Sequence, residues 1–412
     1  MALQSPALRV PSPELREQLT ACTADALTVL VVAPSLHAGA AAAGAVELTR
    51  ILAAAGHKPI VVSSGGRLVQ DVTAAGAQFI AMNVASQNPV VMLRNAMAMV
   101  RLVRAHRCDV IHAHGRAPGW SAYFAAQRTG VAFLTTWYKG FREQNGLKRL
   151  YNSVMARGDH VIAPSDQIAE LVNERYATPW ERITVIPASV DLERFDPAAV
   201  SAARLDAVRR AWGVRHDARI ILVAGRMLRR KGHHIVVEAV RRLKEMGVKD
   251  ILCIFLGEPE GRTRYSGEVW DLVLATQTTD VIRMVGPTDD MPAAYAAASV
   301  VVSASTQPEG LQRAILEAQA MARPVVVSDL GAGPEVVLAP PAVSDDRMTG
   351  LRFSSGDAGA LAAALIRLFS LPACSAIGAR GRAWMAANFD VSAATIPTLS
   401  LYAEVARQRR HP

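Results

Sequence analysis

Residues 305–335 read STQPEGLQRAILEAQAMARPVVVSDLGAGPE, and this stretch decides the fold class. Its first half spaces apolar side chains at helical intervals between Leu311 and Ala322, which predicts an amphipathic helix. Pro324 ends that helix because proline has no backbone N–H to continue it. The valine run at 325–327 predicts a strand covered on both faces, followed by a glycine turn. A helix leading into a buried strand is typical of an α/β fold, whose ligands gather at the strand ends.

Two carboxylates stand on either side of the start of this predicted helix. Glu309 and Glu317 are eight residues apart, so helical rise places them up to about 12 Å from each other. A retaining glycosidase needs its two carboxyl groups within about 5.5 Å, which argues against a simple hydrolytic pair. Carboxylates this far apart can instead hold the two ends of one elongated, hydroxyl-rich ligand. The unpaired N–H groups near residues 311–314 favour an anion such as a diphosphate between them.

The motif closely resembles a known signature. Glu309, seven residues and Glu317, followed by AMARPVV at 320–326, is similar to the motif of family 4 glycosyltransferases of the bacterial lipopolysaccharide or cell-surface polysaccharide type. Those are retaining nucleotide-sugar enzymes. The resemblance implies the GT-B fold, in which two Rossmann-like, doubly wound parallel-sheet domains face each other across a cleft. It also implies a C-terminal helix that crosses back to the N-terminal domain.

Composition is compatible with that architecture. The chain has 412 residues, 51% hydrophobic and 20% charged, which indicates a globular protein of two or three domains. Four widely separated cysteines without a CxxC pair indicate neither a disulfide framework nor a zinc site. No apolar run reaches the roughly 18 residues of a spanning helix, and no signal-peptide pattern opens the chain. We therefore expect a cytoplasmic protein, either free or peripheral on the inner face of the cytoplasmic membrane.

Alternating strand and helix patterns divide the chain into three parts. Residues 1–25 hold three prolines and mixed charge and are interpreted as a poorly ordered lead-in. Residues 26–187 are predicted to form the first domain and residues 188–390 the second. The resemblance implies that the first is the acceptor-side domain, completed by a crossing helix at 391–412, and that the second binds the nucleotide sugar. A net charge of +9 indicates an acidic partner, but few aromatic residues and no RNA-binding signature weigh against nucleic acid.

A glycine-alanine segment follows the first predicted strand. The region is predicted as a loop over 36–44 and a helix over 45–55. Gly39 and Gly44 have the spacing of a P-loop, but Ala45 and Val46 replace its Lys and Ser/Thr, which excludes ATP hydrolysis by that motif. Family members often carry Gly-Gly-x-Glu-Arg-Gly here, and this chain has lost the charged pair. Gly39 is predicted either to approach a phosphate or acceptor closely or to form a plain turn.

The next motif is a histidine pair, His112 and His114, at the end of a predicted strand. Residues two apart on a strand point the same way, but no further ligand follows at metal-binding spacing. The run resembles the family segment whose second histidine faces the donor sugar, which implies a catalytic role for His114. His112 is interpreted as a structural residue.

Basic and aromatic side chains alternate over 137–151, WYKGFREQNGLKRLY. Such a segment can lie on an anionic membrane surface, and family members often use lipid-linked acceptors. The alternative is an ordinary packed helix with a solvated basic face.

A second glycine turn, GRMLRRKG at 225–232, carries four cations and opens a predicted helix. A basic glycine turn at a helix start is a chemically sensible diphosphate cradle. The turn resembles the family's Gly-Arg-Leu…Lys-Gly motif, which implies donor binding at Gly225 and stabilisation of the leaving group by Arg226 and Lys231. Arg229 and Arg230 are expected to face water.

The resemblance assigns the remaining donor contacts. Glu309 and the backbone of Gly310, Leu311 and Gln312 would hold sugar hydroxyls, Glu317 would bond the ribose, and Gly286 would lie beside the base. Family members more often have Phe-Gly or Phe-Ser at 311–312. The chain has no Asp-x-Asp metal motif, so we expect transfer without a metal or other cofactor.

The predicted function is transfer of a hexosyl unit from a nucleoside diphosphate sugar to a glycan or lipid-linked acceptor, with retained anomeric configuration. Two alternatives remain at this point. One is a catalytically inert sugar-nucleotide-binding or membrane scaffold protein of the same fold, suggested by the alanine-filled loop. The other is a nucleotide-cofactor oxidoreductase, although GxGxxG is missing after the first strand.

Overall fold

A computed structural model describes residues 26–37, 39–138, 145–215, 218–257, 264–371 and 374–410. The predicted lead-in at 1–25 lies outside these ranges, as do residues 139–144 of the basic-aromatic segment. The chain divides into two compact units, a first unit of residues 1–188 and 392–412 and a second unit of residues 189–391.

The first unit is built on a seven-stranded sheet. Its strands are β1 Thr28–Val32, β2 Lys58–Ser63, β3 Gln78–Ala81, β4 Val110–Ala113, β5 Ala132–Thr136, β6 His160–Ala163 and β7 Ile183–Val185. They pair in the order β3-β2-β1-β4-β5-β6-β7, and every pairing is parallel. The helices are α1 Ala40–Ala54, α2 Val69–Ala74, α3 Pro89–His106, α4 Arg116–Thr129, α5 Gly146–Asn152 and α6 Asp166–Tyr176.

The second unit repeats this topology with six strands. They are β8 Arg219–Ala224, β9 Ile251–Leu256, β10 Ile282–Val285, β11 Val300–Ser303, β12 Val325–Ser328 and β13 Gly350–Phe353, in the order β10-β9-β8-β11-β12-β13. All five pairings are parallel. The helices are α7 Ala202–Ala211, α8 His233–Glu245, α9 Arg264–Ala275, α10 Met291–Ala297, α11 Arg313–Ala320, α12 Gly333–Val336, α13 Ala358–Ser370 and α14 Cys374–Asn388.

Strand β1 shows why the apolar runs become central strands. Its side chains alternate between the two faces of the sheet. Val29 and Val31 pack in a cluster with Leu52 of α1, whereas Leu30 and Val32 pack in the opposite cluster with residues of α3 and α4. Both faces are therefore buried, which requires a nearly continuous apolar strand. The doubly wound architecture predicted from the sequence is confirmed.

The last helix, α15 Val391–Arg410, leaves the second unit and returns to the first. Leu399, Tyr402 and Val405 are buried there in the cluster that contains Val29 and Leu52. Among the described residues, no single helix combines the length and apolarity needed to cross a bilayer. Only α13 and α14 together meet that criterion, as a pair bent by 105°.

Two predicted helix starts were wrong. Helix α1 begins at Ala40, inside the segment predicted as loop, because Gly39 takes φ of 100° and the following alanines are strong helix formers. Helix α11 begins at Arg313 and not at Leu311, since Gln312 is still extended and occupies the N-cap. Glu309 therefore lies in a loop, and helical rise does not measure its distance from Glu317.

Candidate functional site

The clustered charges of the second unit lie after the carboxyl ends of β8 and β11. Strand β8 ends at Ala224, and residues 225–232 form the glycine turn that leads into α8. Gly232 has φ of 69°, and a Cβ atom there would lie 1.8 Å from the carbonyl oxygen of Ala304. No other residue fits this close approach, so glycine holds Lys231 against the end of β11.

Glu309 is the centre of this charged cluster. Its carboxylate accepts a 2.5 Å hydrogen bond from Lys231 Nζ and lies 3.1 Å from Arg230 Nε. Ser305 Oγ donates to the same carboxylate at 3.2 Å. The backbone of Glu309 is pressed against Gly331, where a Cβ atom would lie 2.2 Å from the Glu309 carbonyl oxygen. Glu309 is 7% exposed, so these partners fix a nearly buried carboxylate in one position.

The cations of the glycine turn differ in their ion-pair partners and in their exposure. Arg230 was expected to face water, and this was wrong, because its guanidinium pairs with Glu309 and is only 21% exposed. Arg229 is more exposed, but it pairs with Glu268 and lies over the ring of Tyr265. Arg226 lies exposed at the turn that follows β8. The structure therefore brings Arg230 together with Lys231 at the Glu309 carboxylate.

The second carboxylate of the motif has a different environment. Glu317 lies on α11, where it accepts a 2.9 Å hydrogen bond from the Tyr295 hydroxyl and lies 3.5 Å from Arg313 Nε. Burial raises the pKa of Glu317, and Arg313 and Tyr295 oppose that shift. Glu317 is thus a hydrogen-bonded carboxylate, whereas Glu309 is held by two cations.

A small hollow, partly open to solvent, lies beside the charged cluster. Gly225, Lys231 and Gln312 of the predicted site line it, together with Ser303 and His233. The Gln312 side chain is held by Ser303 and by Ser305, the latter at 3.3 Å. Gly310 and Leu311 are buried in the loop that leads to Gln312. Gly286 is exposed after the edge strand β10 and does not line this pocket.

The first unit places its two histidines in a neutral network. His112 is bonded through Nδ1 to the Tyr402 hydroxyl at 2.5 Å and through Nε2 to Thr136 Oγ1 at 2.7 Å. Both ring nitrogens have protein partners, as expected of a structural histidine. Burial and the neighbouring His114 hold the pKa of His112 well below its usual range.

His114 follows β4 and lies against His112, with 4.4 Å between ring centroids. Its Nδ1 is bonded to the Tyr138 hydroxyl at 2.6 Å, and burial lowers its pKa to about 3. Tyr138 in turn occupies the space over Gly44, where a Cβ atom would lie 2.1 Å from the hydroxyl oxygen. A side chain at position 44 would therefore displace the Tyr138 ring. The roles assigned to His114 and Gly39 stay predictions.

Metal-binding clusters were sought throughout the described ranges. No group of three or more His, Cys, Asp or Glu side chains there is arranged to hold a metal ion. The three cysteines within those ranges, Cys108, Cys253 and Cys374, are free thiols.

Sequence reasoning missed several residues around these sites. Ser305 could have been found, because it lies four residues before Glu309 in the same loop. Tyr295 and Tyr402 gave no local signal, since they reach their partners across 22 and 290 residues. His233 directly follows the glycine turn, but only the folded structure shows that it lines the pocket.

Comparisons with known proteins agree for both halves of the chain. The family model described as Glycosyltransferase Family 4 matches residues 41–194, and that of Glycosyl transferases group 1 matches residues 218–370. A D-inositol 3-phosphate glycosyltransferase of Xylanimonas cellulosilytica is 29% identical over 332 residues, which cover 76% of each chain.

Solved structures extend the similarity to nearly the whole length. A glycosyltransferase from Rickettsia africae superposes with a TM-score of 0.80 and 28% identity, over 92% of this chain and 99% of the other. Anabaena Alr3699/HepE, solved in complex with UDP-glucose, gives a TM-score of 0.77 at 18% identity, over 93% and 99% of the two chains. The fold is GT-B, and the chain belongs to the family 4 glycosyltransferases.

Proposed function

We propose that this glycosyltransferase moves a hexosyl unit from a nucleoside diphosphate sugar to a glycan or lipid-linked acceptor, with retained anomeric configuration and without a metal. One observation carries the proposal, the contact of Glu309 with Lys231 and Arg230. A carboxylate that can hold sugar hydroxyls lies directly beside cations that can neutralise a diphosphate. An activated sugar needs both groups at adjacent positions.

The reaction that fits this layout is electrostatic. The acceptor oxygen forms a bond to the anomeric carbon as the bond from that carbon to the diphosphate oxygen breaks. A phosphate oxygen on the same face takes the acceptor proton, so no side-chain base is required. Lys231, Arg230 and Arg226 stabilise the charge that develops on the diphosphate, which is generally the largest catalytic contribution. Lys231 and Arg230 then share their positive charge between Glu309 and the phosphate groups.

The remaining contacts orient the donor. The Glu309 carboxylate accepts hydrogen bonds from sugar hydroxyls, and the backbone N–H groups of Gly310 and Leu311 donate hydrogen bonds to other sugar hydroxyls. Glu317, held by Tyr295 and Arg313, bonds the ribose hydroxyls. The UDP-glucose bound to Anabaena HepE supports a uridine diphosphate sugar as the first candidate donor. The inositol phosphate relative suggests a phosphorylated polyol as one further acceptor to include in any screen.

The test begins with a thermal-shift screen of UDP-, GDP- and ADP-sugars. A donor that binds the native state stabilises it by about 2.7 kcal/mol at a hundredfold excess over Kd. This stabilisation raises the melting temperature. Turnover with the donor so identified is then followed by NMR in EDTA, and the anomeric coupling of the product is read directly. We expect retention and full activity in EDTA. An inverted product, loss of activity in EDTA or no stabilisation by any donor would contradict the proposal.

We further propose that the enzyme acts at the inner face of the cytoplasmic membrane in cell-envelope polysaccharide or lipopolysaccharide synthesis. Helix α5 supports this, because Leu147 and Leu150 are 79% and 54% exposed beside the exposed Lys148. An exposed apolar pair with a basic neighbour suits an anionic lipid surface.

Flotation with anionic vesicles tests this docking. Replacing Leu147, Lys148 and Leu150 by Gln should reduce recovery with vesicles severalfold. A matched variant, with Gln at Met246 and Lys249, removes an exposed apolar side chain and a cation from the second unit and should float like wild type. Equal recovery of all three proteins would reject membrane docking through α5.

A further inference from the structure

His233, the first residue of α8, is buried with neither ring nitrogen bonded. The residue is only 1% exposed, and both Nδ1 and Nε2 lack a hydrogen-bond partner among the described residues. Buried polar groups are almost always paired, because an unpaired one forfeits its hydration. A histidine at this position therefore needs an explanation beyond packing.

Packing alone does not require an imidazole here. The ring meets Phe255 edge-on at 5.1 Å between centroids and Tyr265 at 6.2 Å. An aromatic hydrocarbon ring would satisfy these contacts without the two unpaired nitrogens. The neighbouring His234 is different, because its Nδ1 is bonded to the Tyr265 hydroxyl at 3.0 Å. Of two adjacent histidines, one has a protein partner and the other does not.

The surroundings of His233 indicate what its partner is. His233 lines the same pocket as Gly225, Lys231 and Gln312. Gly225 leaves that pocket open, since a Cβ atom added there would meet no atom within 4 Å. The pocket therefore combines free space, one cation, a helix N-terminus and an unpaired imidazole. These are the groups that bind a phosphate oxygen.

We propose that His233 is a further donor-binding residue, whose ring N–H donates a hydrogen bond to a phosphate oxygen of the nucleoside diphosphate beside Lys231. This inference rests on the proposed nucleotide-sugar donor. Burial, together with the nearby Lys231, lowers the pKa of His233 to about 4. The imidazole is therefore neutral near pH 7. Its hydrogen bond orients the phosphate group without adding charge, whereas Lys231 supplies the positive charge.

The experiment compares diphosphate binding with nucleoside binding. Whichever of UDP, GDP and ADP the wild type binds is titrated by calorimetry, together with its nucleoside. His233→Phe keeps the ring shape and removes the N–H, so its Kd for the diphosphate should rise about tenfold while its Kd for the nucleoside changes less than twofold. His233→Gln, which restores an N–H donor, should recover part of the loss. The matched control His234→Phe should change neither value.

A purely structural role gives a different result, because a misplaced loop would weaken the binding of both ligands equally. Equal weakening, or a diphosphate affinity of His233→Phe equal to that of wild type, would overturn the inference. If His233→Phe does not fold, His233→Gln in the same assay and ¹⁵N-histidine NMR of the wild type decide. The His233 nitrogen resonance should then move on addition of the diphosphate, and an unmoved resonance overturns the inference.

Failure of this inference can be separated from failure of the proposed function. A wild type that binds none of the three diphosphates contradicts the nucleotide-sugar donor itself. A wild type that binds one of them, with His233 variants that bind it equally well, contradicts only the role of His233.

Discussion

The two units share one sheet topology but differ in the side chains at the carboxyl ends of their strands, which are neutral in the first unit and charged in the second. In the first unit, His112 and His114 are buried and bonded to tyrosine hydroxyls, and burial holds both imidazoles neutral. In the second unit, Glu309 is held between Lys231 and Arg230. The fold therefore does not decide the chemistry. The difference suggests that charge stabilisation is concentrated in the second unit and that much of the first network is structural.

The largest expected effect comes from removing the central ion pair. Glu309→Ala and Lys231→Ala should each lower kcat by about 10²–10³, because loss of one preorganised electrostatic contact costs about 2.7–4 kcal/mol of transition-state stabilisation. Steady-state turnover with the donor found in the screen measures this. Arg229→Ala is the matched control, since Arg229 is a neighbouring cation that pairs with Glu268 and should lose less than threefold. Full turnover by both site variants would show that this ion pair of the second unit does not contribute to catalysis.

The next prediction is that the first unit is less stable than the second at low pH. Burial lowers the pKa of four described histidines there, His57, His112, His114 and His160, and of two in the second unit, His233 and His234. The unfolded chain binds protons near pH 6.5, whereas these folded sites do not. Their stabilising contribution is therefore present above pH 6.5 and is lost as the pH falls towards the folded pKa values.

Hydrogen exchange at pH 7.0 and 5.5, corrected for the intrinsic exchange rate, checks this order. Each suppressed titration contributes up to about 1.4 kcal/mol per pH unit, so the unit with more such histidines should lose more stability. Peptides from the first unit should lose protection before those of 219–371. Replacing His57 and His160 by Asn should reduce the difference. Earlier loss of protection in the second unit would show that burial has not kept the first unit's histidines neutral.

A smaller effect is expected at the second carboxylate. Glu317→Gln keeps the side-chain length but removes the negative charge that accepts a hydrogen bond from the Tyr295 hydroxyl and, in the proposed function, from the ribose hydroxyls. The donor KM should rise about tenfold with kcat unchanged, because one hydrogen bond to a charged group contributes about 1.5–3 kcal/mol. Glu268→Gln, at an exposed carboxylate of the same unit, should leave the KM unchanged. A kcat loss as large as that of Glu309→Ala would mean that the two carboxylates share one role.

How much of this was predictable depends on the range of the interactions. The strands followed from local sequence, since burial on both faces demands apolar runs such as 325–327. The start of α1 did not, because the alanines after Gly39 suit either a loop or a helix until they pack. The family resemblance also assigned Lys231 and Glu309 to one site, although they lie 78 residues apart. It could not separate Arg229 from Arg230, whose partners are set by the tertiary fold.

The smallest predicted effect tests the structural half of the comparison. Tyr402→Phe removes the buried hydroxyl bonded to His112 and leaves Nδ1 of that ring unpaired, which should cost about 1–3 kcal/mol of unfolding free energy. Turnover should fall less than threefold, since charge stabilisation lies in the second unit. Tyr265→Phe is the matched variant, because its hydroxyl bonds the half-exposed His234, to which water has access, so the cost should be lower. Urea unfolding and steady-state kinetics measure both quantities. A Tyr402→Phe enzyme with unchanged stability but strongly reduced turnover would show that the His112 network contributes to catalysis. The proposed contrast between the two units would then be wrong.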